Sequence, residues 1–411
     1  MSHTGHTAGM PVAAVTAHLG RERRARLRAP ALLAALLVAL VTGGCGGGGH
    51  SSQSRTSTGS AHTRTASSVG QASADPHTPI NVYANDGPGM FSPQTHGDPA
   101  LVYVPNSMSN TVDVISQKTM KVVGQFATGA LPQHVTPSWN LKTLYVDNDL
   151  GNTLTPINPR TGRPGTPIPV EDPYNLYFTP DGRFAIVVAE RLQRLDFRRP
   201  GSMAMVHSLS VPVCRGVDHM DFSAHGHYAY ASCEFSGRMI EIDLRRQRLM
   251  RTLVLNNGNS SPQDVKLSPD GRTVYAADQV TGGLWEIDPR TFRVIGFLRT
   301  GAGAHGLYPS RDAKEMYVSN RQAGTISVVS FKTRRVVKTW QLPQPASPDM
   351  GGVSADGSTL WLSGRYNAVV YAINTRTGHL RAAIPVGSGP HGLCVWPQPG
   401  RYSLGHTGIM R

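Results

Sequence analysis

PQDVKLSPDGRTVYAADQVTGGLWEIDPRTFRVIGFLRT, residues 262–300, holds one complete structural unit. It opens on a short apolar stretch that stops at Ser268-Pro269-Asp270-Gly271, where Asp-Gly supplies the positive φ that a hairpin turn needs. A strand carrying Tyr275 follows, then a polar turn, then a strand ending in Ile287-Asp288, then a turn rich in Thr and Arg. Each run has strand length and is too short for a helix. A unit of this kind cannot bury its faces alone, so its neighbours in the chain must repeat it.

They do. Ile115, Ile157, Leu195, Ile242, Ile287, Val329 and Ile373 mark the third strand of seven units, at spacings of 42, 38, 47, 45, 42 and 44 residues. A period in this range means four short strands per unit, as in propellers. Thr179-Pro180-Asp181-Gly182 and Ser354-Ala355-Asp356-Gly357 repeat the turn. Tyr103, Tyr145, Tyr230, Tyr275, Tyr317 and Trp361 recur at one place in the second strand, where packing between blades needs a large side chain. The expected fold is all-β: a seven-bladed β-propeller over residues 80–411 with four-stranded blades. The first unit starts at its second strand (Leu101 to Asn106), and a spare first strand (His391 to Pro397) is left at the C-terminal end to complete blade one.

Tyr-Val-Pro-Asn (103–106), Tyr-Val-Asp-Asn (145–148) and Tyr-Val-Ser-Asn (317–320), each with an Asp-Gly turn downstream, resemble the YVTN-type, or YncE-like, β-propeller repeat. The resemblance covers roughly residues 100–400. It implies the propeller fold and no single activity, because similar proteins include periplasmic binding proteins, surface-layer components and haem-handling enzymes.

The N-terminal part reads as an address. Arg21, Arg23, Arg24, Arg26 and Arg28 precede the apolar run Ala31 to Val41, and Thr42-Gly43-Gly44 lead into Cys45. This is the order of an export signal, and the run is shorter than the ~20 residues a membrane span needs. The small residues before Cys45 resemble a lipobox, with Thr42 where Leu is usual; the expectation is a lipoprotein signal over 1–44 with Cys45 lipidated, ordinary signal cleavage being the alternative. Residues 1–20 read as neither signal nor domain, which points to a start codon further in. Residues 45–79 are rich in Gly, Ser, Thr, Gln and His with almost nothing apolar, a composition that reads as a disordered tether.

The net charge of +14 falls to +10 once the five Arg and one Glu of residues 1–44 are set aside, and the remaining positive charge is scattered over turns. No basic stripe interleaved with aromatics is present, so nucleic acid is not an expected partner; the expected ones are the membrane, through the lipid anchor, and an envelope protein or polymer, with the protein a monomer.

In a propeller, residues at one position of the innermost strands form a ring around the axis. Aligning the units puts Gln133, Tyr174, Asp218, Gln263, His305, Asp349 and His391 in one ring, and His134, Asn175, His219 and Asp264 in the next. His134, Asp218, His219, Asp264, His305, Asp349 and His391, with Glu234 just after a second strand, are the candidate ligand-binding residues. His134, His219, His305 and His391 are the candidate metal ligands, since two or three imidazoles with a carboxylate suit zinc, iron or copper. The bland alternative is a hydrated polar funnel. Cys214 and Cys233 stand near each other at the top of one blade and are a candidate disulfide if the entry loop folds back; Cys394 reads as a buried thiol.

Two functions follow. The first is an envelope propeller that binds a ligand or partner at its funnel or blade tops without catalysis. The second is a metal-, haem- or tetrapyrrole-dependent enzyme or cofactor carrier. Cys-x-x-Cys-His, Gly-rich phosphate loops and Gly-x-Ser-x-Gly are absent from the sequence.

Overall fold

The computed structural model describes residues 80–411. The export signal, lipidation at Cys45 and the tether lie outside them. Among the described residues, seven antiparallel sheets follow one another along the chain, each running from an inner to an outer strand in sequence order except at the inner edges of blades 1 and 3, where strands from the C-terminal end are added. Blade 4 sets the pattern with Val217–Phe222, Tyr228–Cys233, Arg238–Asp243 and Arg248–Val254. Its first strand is buried throughout and its fourth alternates exposed and half-buried residues, which places the first at the axis and the fourth at the rim. Blades 2, 3, 5, 6 and 7 begin at the axis with Pro132–Pro137, Asn175–Phe178, Pro262–Leu267, Ala304–Pro309 and Pro348–Val353.

The recurring Tyr103, Tyr145, Tyr230, Tyr275, Tyr317 and Trp361 are all at most 4% exposed, and the third-strand markers Ile115 to Ile373 are buried to 1% or less. They pack between sheets: Tyr230, for example, joins Val265, Val274 and Ile287 of the next blade. The Asp-Gly turns take the expected form, with Gly182 at φ 67° and Gly271 at φ 68°.

Blade 1 is closed from the other end of the chain. Cys394–Trp396 pairs antiparallel with Leu101–Asn106, setting Leu101 opposite Trp396 and Tyr103 opposite Cys394. This closing strand is shorter than the expected His391–Pro397. Gly392 leaves the ladder to exchange backbone hydrogen bonds with blade 2, its N–H donating to Gln133 O and its carbonyl accepting from Val135 N, both at 2.9 Å. A Cβ on Gly392 would come 2.0 Å from the His134 ring, so only glycine permits this crossing.

Blade 2 departs from four full strands. Its outer edge is split into Arg163–Pro164 and Ile168–Pro169, because Pro164, Pro167 and Pro169 cannot donate to a ladder.

Cys214 and Cys233 are joined in a disulfide with Cα atoms 4.9 Å apart. The ladder pairs Cys233 with Val217, so the entry loop folds back, turning at Gly216 (φ 64°) while Gly216 O accepts from Glu234 N at 2.7 Å. The bond closes a loop with a sequence separation of 19. Replacing both cysteines by serine is expected to lower stability by about 3 kcal/mol through the added freedom of the unfolded chain, read as a lower denaturant midpoint at unchanged slope. An unchanged midpoint would mean that the blade is already held by its strands.

Candidate functional site

In a regular strand, neighbouring side chains point to opposite faces, so two consecutive residues cannot both face the axis. The inner strands of blades 2, 4, 5, 6 and 7 escape this rule with one extra residue each. Pro132 pairs with Asn148 but Val135 with Val146, and the same slip separates Val217 from Met220, Pro262 from Val265, Ala304 from Leu307 and Pro348 from Gly351. Such bulges re-aim side chains. The residues they re-aim are Gln133-His134, Asp218-His219, Gln263-Asp264, His305-Gly306 and Asp349-Met350, the two rings read from the sequence. The bulged backbone is fixed by serine hydroxyls of the second strands: Ser232 Oγ accepts from His219 N at 3.0 Å and Ser319 Oγ from Gly306 N at 2.8 Å.

Two groups of ligand atoms result. His134, His219 and His406 form one and His305, Asp349 and His391 the other, the candidate atoms within each lying inside 4.8 Å of one another. The groups adjoin, with ring centroids 4.9 Å apart for His134 and His391 and 6.2 Å for His219 and His305. His134 Nδ1 lies 2.9 Å from Tyr174 O, and since a carbonyl only accepts, Nδ1 carries the proton and Nε2 presents its lone pair to the cluster. Asp349 bridges its neighbours, Oδ1 lying 3.2 Å from His305 Nδ1 and Oδ2 3.6 Å from His391 Nε2.

Burial pushes His134, His305, His391 and His406 well below the usual histidine range, reinforced most by His219 for His134 and His406, by Arg321 for His305 and by Arg365 for His391. They are neutral imidazoles, the form that binds metals. His219 is the exception: burial opposes its charge most, but Asp218, with Oδ1 2.7 Å from Nδ1, together with Asp264 and Glu234, raises it above the usual histidine value. Burial also raises Asp349 and Asp264 above the usual carboxylate range.

The other predicted residues divide. Asp218 stands beside His219. Asp264 braces the scaffold, Oδ1 accepting from Val265 N and Oδ2 from Leu307 N of blade 6, both at 2.9 Å, while Oδ1 also lies 3.6 Å from His406 Nε2 at the edge of the first group. Glu234 is at the rim rather than in the cluster, accepting from Gln279 Nε2 at 3.1 Å, and burial followed by Asp218 pushes its carboxyl up to about 7.

His406 was not among the predicted residues. The C-terminal tail folds against blade 3, with Gly405 paired to Tyr177, and Arg411 holds Asp221 at 2.7 Å. The rim was also missed. The residue directly after the second strand, where Glu234 stands, is Ser107, Asp149, Glu190, Glu234, Gln279, Arg321 and Arg365 from blade 1 to blade 7. Aligning the repeat on Glu234 exposes this third ring.

Fold and site together define a seven-bladed propeller with an axial histidine–aspartate cluster. The chain belongs to the YncE-like β-propeller family, whose profile matches residues 92–399. It is 32% identical to the uncharacterized protein YncE of Salmonella typhi over 130 residues, a stretch covering 31% of this chain and 36% of that relative, so little more than a third of the relative's length is matched. Among solved structures it resembles a functionally unknown protein from Desulfotomaculum acetoxidans (TM-score 0.61, 14% identity, 72% of this chain and 98% of that one). It also resembles the hydrazine synthase of Kuenenia stuttgartiensis (TM-score 0.59, 17% identity, 74% of this chain and 99% of that one). At these identities the likeness is one of fold.

Proposed function

We propose that this protein is an exported, lipid-anchored envelope propeller that holds a transition-metal ion, of the zinc, copper or iron type, at the axis of its ring. The observation that carries the reading is the set of buried ligand atoms without a hydrogen-bond partner among the described residues in two adjoining groups: His134 Nε2 in the first, and His391 Nδ1 and Asp349 Oδ2 in the second. His406 Nδ1 accepts from Asn175 Nδ2 at 3.2 Å, so its Nε2 carries the proton, 3.6 Å from Asp264 Oδ1, and a bound ion would displace that proton. Leaving such atoms unpaired costs about 1–3 kcal/mol each, and a cation bound to several of them at once removes that cost. An ion fits better than a haem or other tetrapyrrole, because the imidazoles pack against one another, 4.6 Å between the His219 and His406 centroids, and leave no slot for a planar macrocycle. The export signal and Cys45 support the envelope location.

The test is metal analysis of the full-length protein, extracted from membranes without chelator and then dialysed against zinc or copper, beside a His134→Ala/His305→Ala variant that removes one nitrogen from each group. Stoichiometric metal in the wild type and its loss in a variant with unchanged circular dichroism are expected, and partition of the protein into detergent reads the anchor. Wild-type protein that stays metal-free after dialysis overturns the metal reading and returns the channel to a hydrated polar funnel.

A further inference from the structure

The rim above the cluster is strongly uneven in charge. Arg321 and Arg365 occupy equivalent positions on adjacent blades 6 and 7. Arg321 is held in place: Nη1 lies 3.2 Å from Asp349 Oδ1, Nη2 donates to Gln279 Oε1 at 2.7 Å, and the guanidinium sits 5.7 Å from the Tyr366 ring centre. Arg365 is partly buried and makes no such ion pair, and Asp349 favours its charge only from a distance. Its Nη1 donates to the neutral acceptors Ser107 Oγ (3.2 Å) and Gly389 O (3.4 Å), and among the described residues no carboxylate lies within 4.0 Å of it.

A guanidinium carries N–H donors on all three of its nitrogens, and among the described residues only Nη1 of Arg365 donates. Asp349, the one carboxylate on Arg321, is already shared with His305 and His391. Glu234 also favours the charge of Arg321, but no carboxylate is in ion-pair contact with Arg365, which leaves its guanidinium free to receive an anion. Burial holds Arg365 below its ordinary value; Asp349 works against this and Arg321 adds to it.

We propose that Arg321 and Arg365 are the receiving site for the carboxylate or phosphate group of a small molecule that enters the channel at this rim. Planar guanidiniums match both groups through paired N–H···O bonds. The anion site stands on the two arginines. That the same molecule then meets a metal ion, through Asp349 and His391 beneath them, rests on the metal reading above.

Titration calorimetry at low ionic strength tests it, with malonate and inorganic phosphate as probes, on full-length protein stripped of metal and again after zinc loading. Saturable binding of one or both probes to metal-free protein is expected, weakened about 10- to 100-fold in Arg365→Gln and less in Arg365→Lys, with the zinc content of Arg365→Gln unchanged and its melting temperature no lower than that of the wild type. Whichever probe binds identifies the group. Failure of both probes to saturate the wild type, or equal affinity in Arg365→Gln, overturns the proposal. Anion binding by a protein that takes up no zinc sinks the metal reading alone and leaves the arginine site standing.

Discussion

Truncation after Pro390 is expected to abolish cooperative folding. The truncated chain loses Leu393, Cys394, Val395 and Trp396, each fully buried, and with them the strand that, among the described residues, pairs with the inner edge of Leu101–Asn106. Leu393, Val395 and Trp396 alone account for roughly 5–9 kcal/mol at about 1.5–3 kcal/mol per buried side chain. Whole domains are stable by only about 5–15 kcal/mol. The loss is also geometric, since an open ring exposes an unpaired edge that other chains can extend. Loss of the melting transition with aggregation is the expected result. A truncated protein that melts sharply within a few degrees of the wild type would mean that blade 1 is held by its contact with blade 2 and that closure adds little.

That closure was legible in the sequence because strand counting is insensitive to local error: a first unit without its first strand and a spare one at the end leave one solution. The two axial rings were legible for the same reason, since the repeat aligns His134, His219 and Asp264 whatever the local backbone does. What the repeat could not convey is why consecutive residues face the axis. The extra residue at each bulge is visible only once Pro132 is seen opposite Asn148 and Val135 opposite Val146. Asp264 illustrates the limit further: it has a ligand's side chain at a ligand's position, yet both oxygens accept backbone amides and brace two blades together. Arg321 and Arg365 escaped because the alignment stopped at the strands, and the rim begins one residue later.

His406 escaped for a different reason. It belongs to no repeat, so no periodicity marks it; only its arrival beside His134 and His219, at centroid distances of 5.1 and 4.6 Å, makes it part of the cluster. If the metal reading holds, the tail is then a ligand arm, and His406→Gln is expected to lower zinc affinity on the order of 100-fold or more, beyond the 10- to 100-fold typical of losing an outer-sphere contact. The variant keeps the tail in place, because Gly405 still pairs with Tyr177 and Arg411 still holds Asp221. Hydrogen exchange separates the ligand role from a packing role. Zinc would slow exchange over residues 403–411 of the wild type by the binding free energy it contributes, and would leave that segment of His406→Gln unchanged. Equal zinc affinity in the two proteins, with equal protection of the tail, would make His406 a packing residue wedged between its neighbours and reduce the first group to His134 and His219, too few nitrogens to hold an ion on their own.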